Sequence, residues 1–249
     1  MFGKNPIRPV EIDGNKLAVE NIFYTLQGEG PYSGTPALFI RMAGCNLRCV
    51  WCDTQFETQA DTPQSAEHWI RILTKYSNQQ RDFVVLTGGE PLRQNVVGLI
   101  SHLLGTGTEV VQIETAGTLW QPLSLEQDEV EDEFGALISE GRVVLVCSPK
   151  TPKIHPKIAT YCEHWKYIIR ADEIDEDDGL PNRGTQVGNQ GLLQRIYRAE
   201  KNNRNKVWLS PCDDYDAVKN KANRDLARDL CLRHGYRLSL QVHKLVGVE

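Results

Sequence analysis

Strand-like and helix-like runs alternate along the chain, which predicts an α/β protein whose parallel sheet is built from right-handed crossovers. Three observations carry this expectation. Six short apolar runs recur, at residues 37–42, 82–86, 109–114, 142–146, 164–170 and 206–209. Fewer helical patterns lie between and after them, at 65–76, 96–104 and 215–234. The length of 249 residues is one that barrel-type α/β folds fill without splitting, so residues 1–249 read as one domain.

Composition narrows the function. A net charge of -5 argues against a phosphate-backbone binder, whose footprint is a basic patch, so no nucleic acid partner is expected. Seven cysteines are an odd number, and three are clustered as a disulfide framework rarely requires; a cytoplasmic location fits better. Cys147, Cys162, Cys212 and Cys231 read as small buried hydrophobes. The first residues lack the apolar core of a signal peptide, and no stretch approaches the ~20 apolar residues of a membrane span.

In chain order, residues 16–26 mix Val19, Ile22, Phe23 and Tyr24 with polar residues, the pattern of a half-buried strand. It runs into Gln27-Gly28-Glu29-Gly30, where two glycines permit a tight turn or close approach to a ligand; a solvated Glu29 is the plainer reading. The strand at 37–42 carries one charge, Arg41. A buried guanidinium needs a partner, either a structural carboxylate or one on a substrate. Ser65 is placed to cap a helix with Trp69, Ile70 and Leu73 on its apolar side. The strand at 82–86 delivers Gly88-Gly89-Glu90-Pro91, either a simple turn or a place where backbone carbonyls and a carboxylate meet an ammonium. Strand ends are where α/β barrels build sites.

Glu114 ends the strand at 109–114, and the acidic stretch 127–133 reads as a solvated linker or helix face. Ser148 and Lys150 follow the strand at 142–146; two residues apart on an extended X-Pro segment, they can face one carboxylate, or Lys150 is simply exposed. Lys166 within the next strand is either a site residue or snorkels outward. Residues 172–203 hold an acidic run, Gly- and Asn-rich sequence and a helix-like piece at 192–200. They read as a solvated loop, with partner binding or a lid as alternatives. A long helix at 215–234 precedes a closing strand at 236–242, after which His243 is either structural or functional.

The sharpest signal is Cys45-Asn46-Leu47-Arg48-Cys49-Val50-Trp51-Cys52, a C-x3-C-x2-C spacing after a strand. Clusters of the 4Fe-4S type take four cysteine ligands, so three leave one iron open to another molecule. A structural zinc site is the alternative, but such sites are closed and four-coordinate, and no fourth cysteine or histidine follows within the next dozen residues.

Together with an aromatic residue before the last cysteine and the later Gly88-Gly89-Glu90-Pro91, this motif resembles the radical S-adenosylmethionine enzymes. More narrowly, Thr25 to Gly30, Cys52-Asp53-Thr54, Thr87 to Pro91, Ser148-Pro149-Lys150 and Gln241-Val242-His243-Lys244 occur in the order of the 7-carboxy-7-deazaguanine synthase family. The resemblance runs from about residue 20 to the C-terminus. It implies a reduced, open (β/α)6 partial barrel of the TIM type. It implies a 4Fe-4S cluster on Cys45, Cys49 and Cys52, S-adenosylmethionine on Gly88, Gly89, Glu90, Glu114, Ser148 and Lys150, and Mg2+ on Thr54. Leu26, Gln27, Glu29, Arg41, Thr87 and His243 are then substrate contacts, and residues 246–249 reach the site.

The implied reaction converts 6-carboxy-5,6,7,8-tetrahydropterin to 7-carboxy-7-deazaguanine with loss of ammonia, within 7-deazapurine and queuosine biosynthesis. A deoxyadenosyl radical abstracts the hydrogen from C6, and the cofactor is regenerated. The family is homodimeric, and a flavodoxin- or ferredoxin-type protein would supply the electron. Ala116 stands where the family usually has asparagine and Ser210 where it often has glutamine; residues 172–203 depart most from the family's length. Two rivals remain. A glycyl-radical activase, acting on a protein, has no use for the 25–30 and 241–244 motifs, and a zinc module predicts a colourless protein.

Overall fold

The computed structural model describes residues 5–52, 54–121, 133–171, 173–187, 191–199 and 206–248. In chain order its elements are β1 (Lys16–Leu17), β2 (Val19–Leu26), β3 (Pro36–Met42), β4 (Gln64–Ser65), α1 (Ala66–Leu73), α2 (Asn78–Arg81), β5 (Phe83–Gly88), α3 (Val97–Gly105), β6 (Val110–Thr115), α4 (Glu133–Ser139), β7 (Val143–Cys147), α5 (Pro156–Tyr161), β8 (His164–Ile169), β9 (Val207–Pro211), α6 (Ala217–His234), β10 (Arg237–Leu238) and α7 (Val242–Val246).

Eight strands form one sheet in the order β10-β9-β8-β7-β6-β5-β3-β2. All neighbours are parallel except β2, which pairs antiparallel with β3. The six expected strands are therefore its parallel centre. Because strand side chains alternate between faces, each strand serves two layers. Leu38, Ile40, Val84, Leu86, Val111, Ile113, Leu145 and Tyr167 face out, packed with Leu99, Ile100 and Leu103 of α3 and Leu230 of α6. Each such side chain contributes about 1.5–3 kcal/mol by leaving water. On the inner face Ala37, Phe39, Phe83 and Val85 pack with Phe23, Tyr32 and Val110. This apolar plug fills the bottom and leaves the C-terminal strand ends to polar residues.

β2 and β10 are opposite edges and do not pair with one another. The gap between them is bridged instead by the loop after β2. Gly30 N–H donates to Ser239 Oγ at 2.9 Å, and Val242 N–H donates to Gly28 C=O at 3.0 Å. The result is the open barrel that the resemblance implied, closed along a seam by a loop rather than by a ladder.

Two expectations need correction. The closing strand at 236–242 shrinks to β10, because Val242 N–H is committed to Gly28 and opens the short α7, capped by left-handed Gly247. Residues 191–199 are not helical, since their backbone donors point elsewhere: Gln194 N–H to Gln186 C=O, Tyr197 N–H to Thr151 C=O and Ala199 N–H to Tyr167 Oη. Asp53, residues 127–132, Glu200 and Glu249 lie outside the described residues. α5, unforeseen, starts on Pro156 with the His155 side chain accepting from Lys157 N–H.

Candidate active site

The C-terminal ends of β5, β6, β7, β8 and β9 open into a cavity of about 430 Å3, walled on another side by the loop that follows β3. That loop is tied down by backbone hydrogen bonds. Gly44 N–H donates to Phe56 C=O at 2.7 Å, Glu90 N–H to Gly44 C=O at 3.1 Å, Gly89 N–H to Met42 C=O at 3.1 Å and Arg8 N–H to Cys45 C=O at 2.8 Å. Beneath it the buried Arg93 guanidinium donates to Ala43 C=O at 3.0 Å and Pro9 C=O at 2.7 Å.

This close approach explains the paired glycines. Gly88 has φ +125°, and a Cβ there would lie 2.2 Å from Met42 O; a Cβ on Gly89 would lie 2.0 Å from Gly44 O. Only glycine permits that backbone contact, so the 88–89 pair seats the cysteine loop against β5. Glu90 is buried, and its carboxylate accepts from Thr115 Oγ1 at 2.7 Å, Ala116 N–H at 2.8 Å and Leu92 N–H at 3.2 Å. Burial outweighs these bonds and raises its pKa.

Cys45, Cys49 and Cys52 all line the cavity, with Thr54, Gly88, Gly89, Glu114, Ser148 and Lys150. Among the described residues no three His, Cys, Asp or Glu side chains converge on a position for a single metal ion. The three cysteines line one cavity from a single loop, and a polynuclear cluster takes a separate cysteine on each ligated iron. Burial, and then the Glu90 carboxylate, pushes the Cys45 thiol up, so thiolate formation there is coupled to binding a cation. Across the cavity Lys150 Nζ donates to Ser148 Oγ at 2.8 Å. The residues present thus fit a cluster and, beside it, an amino acid moiety.

The seam supplies a second group. Lys166, on the inner face of β8, ion-pairs with Glu29, and both side chains are largely enclosed. Burial alone would raise the Glu29 pKa, but Lys166, Gln241 and His243 outweigh it and hold the carboxyl below its usual range. Gln27 links this pair to the strand ends. Its Oε1 accepts from Glu29 N–H at 3.1 Å and its Nε2 lies 3.3 Å from Glu114 Oε1, while Thr87 Oγ1 donates to Glu114 Oε2 at 2.9 Å. His243 lies against Gly28 so closely that a Cβ on the glycine would fall 1.7 Å from its Nδ1. Burial lowers the His243 pKa, with Glu29 opposing.

Of the residues expected at the site, Leu26, Gln27, Arg41, Glu90 and His243 are not in the cavity wall itself. Gln27 and His243 adjoin Glu29, and Arg41 lies beside Thr87 in the β3–β5 register with its guanidinium 5.5 Å from the Phe23 ring centroid. Lys166, left open by the sequence, is in the wall, as are Gln241, Thr185, Ser210 and Arg170. Cys212, expected in the core, also lines it. Arg170 stacks on Trp51 at 5.2 Å and ion-pairs with Asp214. Gln241 belongs to the 241–244 motif and Ser210 to a position where the family pattern differs, whereas no local signal marks Thr185, Arg170 or Cys212, which tertiary folding brings to the wall.

Comparison with known proteins agrees with this geometry. The family described as "4Fe-4S single cluster domain" matches residues 26–152. A 7-carboxy-7-deazaguanine synthase of Rhodospirillum rubrum is 42% identical, covering 100% of both chains. That of Rickettsia prowazekii is 36% identical, covering 100% of this chain and 96% of its own. The crystal structure of QueE from Escherichia coli shares the fold with a TM-score of 0.58 at 22% identity, over 91% of this chain and 94% of that one. With a cysteine loop seated on paired glycines, a shared cavity and full-length similarity at this level, the chain belongs to the 7-carboxy-7-deazaguanine synthase family of radical S-adenosylmethionine enzymes.

Proposed function

We propose that the chain converts 6-carboxy-5,6,7,8-tetrahydropterin to 7-carboxy-7-deazaguanine, releasing ammonia, as a step of 7-deazapurine and queuosine biosynthesis. The observation that carries this reading is a single cavity lined at once by Cys45, Cys49 and Cys52, by Gly88-Gly89 with Ser148 and Lys150, and by Glu29. Cys45, Cys49 and Cys52 would hold the cluster and Gly88, Gly89, Ser148 and Lys150 the S-adenosylmethionine, which together would supply one-electron chemistry at this site.

The residues of the chain bind, orient and exclude water. Lys150 and Ser148 offer an ammonium and a hydroxyl to the cofactor carboxylate, and Gly88, Gly89 and Glu90 flank its amine. Glu114 is assigned to the ribose hydroxyls. At the seam, ionised Glu29 accepts from the N–H groups of a pterin ring, with Leu26, Gln27, Thr87 and His243 around it and Arg41 assigned to the substrate carboxylate. Holding the reacting carbon of the substrate close to the cofactor, away from water, would be the main contribution of these residues. Thr54 lines the cavity and is the hydroxyl assigned to Mg2+, which takes few protein ligands and keeps several waters.

A homodimer is part of this reading, supported by exposed Ile7, Val10 and Ile12 near one terminus and Leu245, Val246 and Val248 near the other. A flavodoxin- or ferredoxin-type donor in the cytoplasm would reduce the cluster; no helix among the described residues is long and apolar enough to cross a membrane. The test is anaerobic reconstitution with iron and sulfide, then product analysis with the carboxy-tetrahydropterin, dithionite and S-adenosylmethionine. Carboxy-deazaguanine formed while S-adenosylmethionine persists supports the proposal. A brown protein that cleaves the cofactor and leaves the pterin unchanged discards the substrate.

A further inference from the structure

Within the stretch that the sequence reads as a solvated loop, residues 173–187 and 191–199 are folded onto the barrel and reach the cysteine loop. Its first limb is tied by Tyr236 Oη donating to Asp178 C=O at 2.8 Å and by an Arg198–Asp178 ion pair at 2.9 Å. Its second limb is tied by Tyr197 N–H to Thr151 C=O at 2.8 Å and by Ala199 N–H to Tyr167 Oη at 2.9 Å. Between them Gly184 N–H donates to Gln194 C=O at 2.7 Å and Gln194 N–H to Gln186 C=O at 2.9 Å. These bonds hold the two limbs together beside the cysteine loop. Val50 N–H donates to Thr185 C=O at 3.0 Å.

The Gln186 amide is engaged at both ends. Its Oε1 accepts from Arg48 N–H at 3.2 Å, and its Nε2 lies 3.2 Å from Cys49 Sγ. Chemistry dictates this orientation. A peptide N–H can only donate, so the amide oxygen must face Arg48, which leaves the NH2 group for sulfur. A metal-bound thiolate is an acceptor, and hydrogen bonds to cluster sulfurs are among the factors that set its potential. A donor at that sulfur favours the more negative, reduced form.

We propose that Gln186 is a positioning residue of the iron-sulfur centre: its side-chain amide holds the turn at Arg48–Val50 and donates a hydrogen bond to the Cys49 sulfur, raising the reduction potential of the cluster ligated there. This rests on Cys45, Cys49 and Cys52 carrying the cluster. It gives residues 173–187 and 191–199 a role in electron uptake that no motif in the chain announces.

The test is a redox titration of the anaerobically reconstituted full chain, followed by electron paramagnetic resonance without cofactor or substrate. Gln186→Leu removes the amide. Gln186→Glu keeps an oxygen for Arg48 N–H and replaces the donor by an acceptor. Both variants should take up the parent's iron. At the parent's midpoint the reduced-to-oxidised ratio should fall about tenfold in Gln186→Leu, equivalent to about 59 mV for one electron, and further in Gln186→Glu. An unmoved midpoint in both overturns the proposal, as does loss of iron from both with a parent-like circular dichroism spectrum, which would make the segment a clamp alone. If Gln186→Leu does not fold, Gln186→Glu decides by the same criterion. A parent without a cluster signal would remove the reading on which the proposal rests, a result distinct from an unmoved midpoint.

Discussion

The cysteine loop and the seam form two walls of one cavity and are built by different means. The loop is contiguous, residues 45–52, and is held by backbone bonds from Gly44, Val50, Gly89 and Glu90. The seam joins side chains far apart in sequence, Glu29 to Lys166 with Gln241 and His243 alongside. A wall built mainly from backbone bonds depends on few side chains: its cysteines, its seating glycines and the Arg93 and Gln186 groups that brace it. A charge-built wall depends on each partner and on pH. The division corresponds to the two jobs proposed here, since a redox centre needs fixed ligands and a polar substrate needs an ionised acceptor of defined direction.

Changes confined to one wall test this division. The largest effect is expected of Cys49→Ala, which should abolish cluster iron and all turnover, read by iron content and visible absorbance, while the fold and the Glu29–Lys166 pair persist. Gly28→Ala strikes the seam instead. Its Cβ would occupy the place of the His243 ring, so pterin affinity should fall about five- to tenfold, the value of roughly one hydrogen bond, with iron content unchanged. Iron lost together with pterin affinity would mean that the walls are not separable.

Replacing Lys166 by methionine probes the charge itself. In the parent, the depressed Glu29 pKa means that the pair's contribution is present above the ordinary carboxylate value and is lost as pH falls through the lowered one. Without Lys166, burial dominates and the carboxyl rises. The acid limb of pterin binding, followed by calorimetry across pH, should therefore move toward neutrality. An unmoved limb would show that Lys166 does not hold Glu29 ionised. The smallest effect is expected outside both walls: Asp216→Ala removes the α6 cap that accepts from Val218 and Lys219 N–H and should cost about 1 kcal/mol in denaturant unfolding, with both ligands bound as before.

How much of this was legible follows the same division. The six central strands were readable because a strand covered by helices on one face and lining a plug on the other is apolar along most of its length. The cysteine spacing was readable because its ligands share one loop. Glu29 stood out through the resemblance and not through its own chemistry, since a carboxylate between glycines reads equally as solvated. Lys166 is ambiguous in the sequence because a lysine in a strand can also snorkel, and its partner lies 137 positions away. Gln186 gave no signal at all, for the same separation of 137 from Cys49 and because its segment looked like a charged loop. Residues 191–199 misled because their apolar spacing suits a helix, whereas tertiary acceptors on β8 and at Thr151 claim their N–H groups.

The most direct test of the two-wall account is a pair of binding titrations on reconstituted Glu29→Ala, one with S-adenosylmethionine and one with the carboxy-tetrahydropterin. The account predicts parent-like cofactor affinity and pterin affinity weakened about ten- to a hundredfold, the range for hydrogen bonds to a charged group. Unchanged pterin affinity, or an equal loss of both ligands, would contradict it.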